Sequence, residues 1–166
     1  MAVFNTMGRL SKILVAIDGS EISMKAADYA INIANRKGKE GVQLIGLTVI
    51  ELMKLSDSFF ATASGYYRAE ELEEKRKEAQ QWLEKCERLA INKENNNNNR
   101  NIQFKSEIIE DPRSKVGSTI IEYAERENVD LIVIGSRGRT GFKKMLLGSV
   151  ASDVVTYAHC IVLVVK

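Results

Sequence analysis

Metal-ligating and disulfide-forming residues are almost missing from this chain. Its 166 residues include two cysteines, Cys86 and Cys160, and a single histidine, His159. Two thiols cannot build a disulfide framework, and without ligand spacing or a second imidazole they do not make a conventional zinc centre. This cysteine usage fits a reducing cytoplasm. No apolar run approaches the roughly 20 residues that span a bilayer. The first twelve residues lack the basic-then-apolar layout of a signal peptide. A cytoplasmic protein without a membrane segment is therefore expected. An excess of one charge is missing too: 24 Lys and Arg against 22 Asp and Glu give +2, too little for wholesale nucleic-acid binding. Any anion site must be local. With 45% hydrophobic and 28% charged residues, the composition is that of a folded domain rather than a disordered chain. We expect one domain at 12–166 behind an N-terminal extension at 1–11.

What is present is an alternation of two patterns. Residues 12–17, 42–49, 102–109, 130–134 and 160–165 are nearly continuous, β-branched apolar runs, as in strands covered on both faces. Between them lie stretches with three- and four-residue apolar spacing. Ala27, Ala30 and Ala34 mark a helix over 21–35. Leu72, Ala79, Trp82, Leu83, Cys86, Leu89 and Ala90 mark one over 67–91. Val116, Ile120, Tyr123 and Ala124 mark a third, and 149–158 forms the last. Residues 92–101, with asparagine at 95–99, read as a loop. The segment 52–68, with Phe59, Phe60, Tyr66 and Tyr67, reads as a lid or partner surface, or as ordinary packing on the sheet. Alternating strands and helices imply an α/β fold with a doubly wound five-stranded parallel sheet. In the order 3-2-1-4-5 its switch-point crevice lies between the first and fourth strands.

Two turn-like junctions flank that crevice, Asp18-Gly19-Ser20 and Gly135-Ser136-Arg137-Gly138. The second opens a run with further glycines at 141 and 148 and with Arg137, Arg139, Lys143 and Lys144, but no acidic residue through Val150. Glycines permit close backbone approach, and a helix opening at Ser149 offers amide N–H groups and a favourable dipole to an anion, with Ser149 expected as N-cap. The same residues could instead make a tight turn with solvated cations. Neither a G-x-x-x-x-G-K-[ST] loop nor a G-x-G-x-x-G fingerprint is present, so P-loop and dinucleotide-dehydrogenase readings lack support.

Gly135, Gly138, Gly148 and Ser149 have the spacing G-x2-G-x9-G-S, and with Val15-Ala16-Ile17-Asp18-Gly19-Ser20 and Ile161 to Val165 the chain resembles the universal stress proteins over its whole domain. The resemblance implies an adenine nucleotide hydrolase-like fold that binds ATP, or AMP or ADP, with Mg or Mn on the phosphates. It implies binding residues Ala16, Asp18, Val49, Gly135, Ser136, Arg137, Gly138, Gly148, Ser149 and Val150. Asp18 would lie against the adenosine, although it could equally cap the next helix or reach the metal through water; the backbone near Val49 would read the adenine edge. The resemblance also implies a homodimer through the final strand. That strand begins with Ile161, where the family often has proline. The expected function is a nucleotide-dependent stress-response regulator with an unknown protein partner. The alternatives are a slow metal-dependent ATPase, a nucleotide-independent interaction module and, more distantly, an FMN-binding flavodoxin-like protein. No base or nucleophile is evident from the sequence.

Overall fold

The computed structural model describes residues 10–36, 41–52, 65–97, 102–113, 115–139 and 147–166, with the side chains of 69–92 in the third segment. Five strands and four helices alternate: β1 (Lys12–Ala16), α1 (Glu21–Arg36), β2 (Val42–Glu51), α2 (Gly65–Asn97), β3 (Ile102–Asp111), α3 (Val116–Arg126), β4 (Leu131–Gly135), α4 (Ser149–Tyr157) and β5 (Ile161–Val165). The strands are parallel in the order β3-β2-β1-β4-β5, as the alternation requires.

Successive side chains leave a strand on opposite faces, so β1 splits its residues between two cores. Ile13, Val15 and Ile17 face α1 and α2, with Leu44, Val133, Leu83 and Cys86. Leu14 and Ala16 face α3 and α4, with Ile45, Leu47, Ile132, Ile120 and Val154. Each fully buried Leu, Ile or Val among these contributes about 1.5–3 kcal/mol. The small residues Ala26, Ala27, Ala30 and Ala34 of α1 are buried, letting the helix approach the sheet closely. Gly46 does the same for β2: a Cβ there would lie 2.9 Å from Leu83 Cδ2 and from Phe104 Cζ.

The largest differences from the sequence expectation are at the ends of β2, β3 and α2. β2 and β3 each run ten residues, paired from Val42 with Ile102 to Glu51 with Asp111. Helix α2 continues to Asn97, so the expected loop at 92–101 is helical through its first six residues. Asparagine is a poor helix former, but extending a helix already nucleated costs only a fraction of a kcal/mol per residue, about 0.7 at most. The helix also begins at Gly65, taking in the end of the 52–68 segment; residues 53–64 lie outside the described ones. No described helix is long and apolar enough to cross a membrane.

At the amino ends of the strands, polar groups tie the layers together. Asp130 Oδ2 accepts hydrogen bonds from Ser11 N at 2.8 Å, Ser11 Oγ at 2.9 Å and Lys12 N at 2.9 Å. Lys12 Nζ donates to the Glu127 carbonyl at 2.6 Å. Midway along β3, Lys105 Nζ lies 2.8 Å from Glu107 and 3.4 Å from the hydroxyl of buried Tyr123.

Candidate functional site

Strand β1 is released from pairing after Ala16, and the chain then turns under tight constraint. Ile17 N donates to the Leu47 carbonyl at 2.8 Å. Gly19 adopts φ +79°, in the left-handed region, and a Cβ there would collide with the Trp82 ring. Ser20 starts α1: its hydroxyl accepts from Ser23 N at 3.1 Å, the N-cap bond. Asp18 is therefore not the cap. Its Oδ1 accepts from Ser20 N at 3.0 Å and Ser20 Oγ at 2.6 Å, holding the capping residue in place.

The loop after β4 is fixed from several directions. Ser136 N donates to the Val165 carbonyl at 2.6 Å, and Gly148 N donates to the Ser136 carbonyl at 2.8 Å, so the start and end of the glycine segment are held together. Arg139 N donates to Asp18 Oδ2 at 3.1 Å. Asp18 thus joins both loops across the switch point. Gly138 has to be glycine for this join, because a Cβ there would lie 2.6 Å from Asp18 Oδ2.

Between the loops lies a cleft of about 700 Å³, open solvent at its mouth included. Nine of the ten expected residues line it: Ala16, Asp18, Val49, Gly135, Arg137, Gly138, Gly148, Ser149 and Val150. Ser136 does not; its side chain is buried behind the loop. The sequence reading missed Leu47, Ile134, Val116 and Ile120, which give the cleft an apolar wall. Helical periodicity marked Val116 and Ile120 as one α3 stripe, but not that this turn overhangs the crevice. Gly141, Lys143 and Lys144 lie outside the described residues.

Helix α4 begins with Gly148 as N-cap, at φ −75° and ψ 160°, and has no side-chain capping bond. Ser149 is its first helical residue rather than its cap, because the Gly148 carbonyl already accepts the first helical bond, from Ser152 N at 2.9 Å. First-turn amides have no partner within their own helix, and here no side chain among the described residues is seen to cap them. Residues 149–151 line the cleft, so this helix start is suited to an anion.

Arg137 and Arg139, grouped by sequence as neighbouring cations, do different things. Arg137 lines the cleft, and its Nε is buried with no hydrogen-bond partner among the described residues. Arg139 turns toward α2, with its guanidinium 5.2 Å from the centre of the Trp82 ring and 3.4 Å from Glu78 Oε2. The only ionisable residues among the described cleft lining are Asp18 and Arg137. The thiols are poor nucleophile candidates. Burial, reinforced by Glu87, pushes Cys86 up to about 12, and burial also raises Cys160. His159 is exposed beside β5 and outside the cleft lining.

A parallel sheet in this order, with a glycine-bounded cleft beyond the carboxyl ends of β1 and β4, defines the class as adenine nucleotide hydrolase-like α/β. The sequence at 10–166 matches the Universal stress protein family, and the chain belongs to that family. It is 36% identical over 155 residues to Universal stress protein MJ0531 of Methanocaldococcus jannaschii, covering 93% of this chain and 81% of that protein. The structure of universal stress protein UspA from Lactobacillus plantarum superimposes with a TM-score of 0.77 at 26% identity, covering 96% of this chain and 99% of that one. A universal stress protein crystallised in complex with cAMP shares the fold, with a TM-score of 0.60 at 20% identity, covering 95% of this chain and 97% of that one.

Proposed function

We propose that the cleft binds an adenine nucleotide, ATP foremost with ADP and AMP as alternatives, and that the protein is a dimeric, nucleotide-dependent stress-response regulator. The observation that carries this reading is the buried, unpartnered Nε of Arg137 in a cleft that also contains the uncapped start of α4. A buried donor without an acceptor is costly, and a phosphate oxygen removes that cost with a charge-assisted bond.

In this reading the phosphates lie along Gly135, Arg137 and Gly138 and against the amides of Ser149 and Val150, with Ser136 acting from behind as loop support. The base lies toward Ala16 and Val49, where Leu47 and Ile120 supply apolar contact and the Val49 backbone meets the adenine edge. Asp18 already accepts three hydrogen bonds. A carboxylate offers about four lone-pair directions, so one remains for a ribose hydroxyl or a metal-bound water. Mg or Mn would be held mainly by the nucleotide's own phosphates, because no group of three metal-ligating side chains occurs among the described residues. With its one lining carboxylate so engaged, we assign the site to binding rather than turnover. The cAMP complex supports the reading at the level of the fold, since cAMP is an adenine nucleotide.

Strand β5 supports the dimer. It pairs with β4 at one edge of the sheet, and Ile161 is 59% exposed on it; an apolar edge of this kind is covered most simply by its symmetric copy. Calorimetric titration of nucleotide-stripped protein with ATP and AMP, with and without Mg²⁺, tests the ligand, and light scattering tests the dimer. Saturable ATP binding tightened by Mg²⁺ is expected. Absence of binding by both nucleotides overturns the nucleotide reading and favours an interaction module.

A further inference from the structure

None of the described side chains of helix α2 lines the cleft, yet the helix touches both loops that build it. The Trp82 ring packs so closely on Gly19 that a Cβ at that position would collide with it. The guanidinium of Arg139 stacks over the same ring, and Glu78, one helical turn earlier, pairs with Nη1. The main chain of Arg139 is held separately by Asp18. The residue that follows the cleft-lining Gly138 is therefore gripped twice, by the β1 loop at its backbone and by α2 at its side chain.

We propose that Arg139 is a positioning residue that clips the glycine loop to α2 through Trp82 and Glu78, so that nucleotide occupancy is transmitted to that helix. The proposal rests on the nucleotide reading above. When phosphates draw on Gly138 and the adjacent amides, the backbone at Arg139 shifts with them. The guanidinium carries that shift to the indole, and the exposed face of α2 becomes the surface on which a partner would sense the loaded state. An arginine guanidinium suits this task because its planar face stacks on the ring while its edge pairs with a carboxylate.

Trp82 is the only tryptophan in the chain, and because it lies outside the cleft lining, a change in its emission on nucleotide addition reports the loops rather than direct contact. The experiment titrates the full chain with Mg²⁺-ATP while recording tryptophan emission and, in parallel, calorimetric heat. It is repeated on Arg139→Gln and Arg139→Lys. The wild type is expected to show a saturable emission change with the same midpoint as the heat. Arg139→Gln is expected to bind roughly three- to tenfold more weakly, within the usual range for losing a charge-assisted contact, and to lose the emission change. Arg139→Lys, which keeps the charge, restores part of both. The Arg139 side chain is 60% exposed, so circular dichroism should show both variants folded. Calorimetric binding with an unchanged tryptophan signal overturns the coupling and leaves the nucleotide reading standing. So does an Arg139→Gln variant that retains both the signal and the affinity. Absence of calorimetric heat removes both together.

Discussion

The two ends of the sheet treat their polar groups differently. At the amino end, Asp130 accepts three hydrogen bonds and Lys12 is matched to Glu127. At the carboxyl end, Arg137 Nε, Ser136 Oγ and Thr48 Oγ1 are buried without a partner among the described residues, and α4 starts without a side-chain cap. The same chain built both ends, so the open groups are not a general looseness of packing. Of these open groups only Arg137 and the start of α4 line the cleft, and these are the groups that the ligand proposed above would complete.

The largest expected effect comes from closing the open end. Gly138→Val places its side chain on Asp18 Oδ2 and should weaken ATP binding by at least ~100-fold, about 2.7 kcal/mol, in calorimetric titration. Next is an attack on the satisfied end. Asp130→Ala orphans Ser11 and Lys12 and should lower unfolding stability in urea by about 2 kcal/mol while leaving ATP affinity unchanged. Equal loss of affinity in that variant would break the division between the ends.

Arg137→Gln should weaken ATP binding by about tenfold, roughly 1.4 kcal/mol. It should leave the melting temperature of the free protein unchanged or higher, because the substitution removes a partly buried charge whose Nε has no partner among the described residues. A fall in that melting temperature would show that the guanidinium is structural. The smallest effect concerns Asp111, a buried carboxylate at the carboxyl end that is fully engaged. Burial opposes its charge, but hydrogen bonds from the amides of Arg113 and Lys115 and from the side chains of Arg113 and Thr119 outweigh this and hold its pKa below the usual value. Its stabilising contribution is therefore complete above about pH 4 and lost as pH falls through the lowered folded value. Asp111→Asn should flatten that acid limb of a stability profile and leave nucleotide binding at neutral pH intact.

Sequence pattern was informative wherever one segment determines its own role. The five apolar runs became five parallel strands, and Gly135, Gly138 and Gly148 marked the cleft because their turn chemistry is local. Features requiring two distant segments were not legible. The bond between Asp18 and Arg139 joins residues 121 positions apart. Trp82 belonged to the helical stripe that periodicity identified, but its meeting with Gly19 and Arg139 depends on how α2 lies across the sheet. Ser149 was expected as N-cap from its side-chain chemistry, whereas the backbone gives that position to Gly148, a difference of one residue that propensity does not resolve.

The join made by Asp18 also has a kinetic consequence. Strands β1 and β4 are neighbours in the sheet but far apart in the chain, so the pocket between them exists only after a long-range loop has closed, and such closures are slow steps in folding. A nucleotide that needs both loops has no site in a chain where that crossover is still open. It should therefore prolong the lifetime of the native molecule more than it hastens folding, shifting the unfolding arm of a chevron plot while leaving the refolding arm nearly in place.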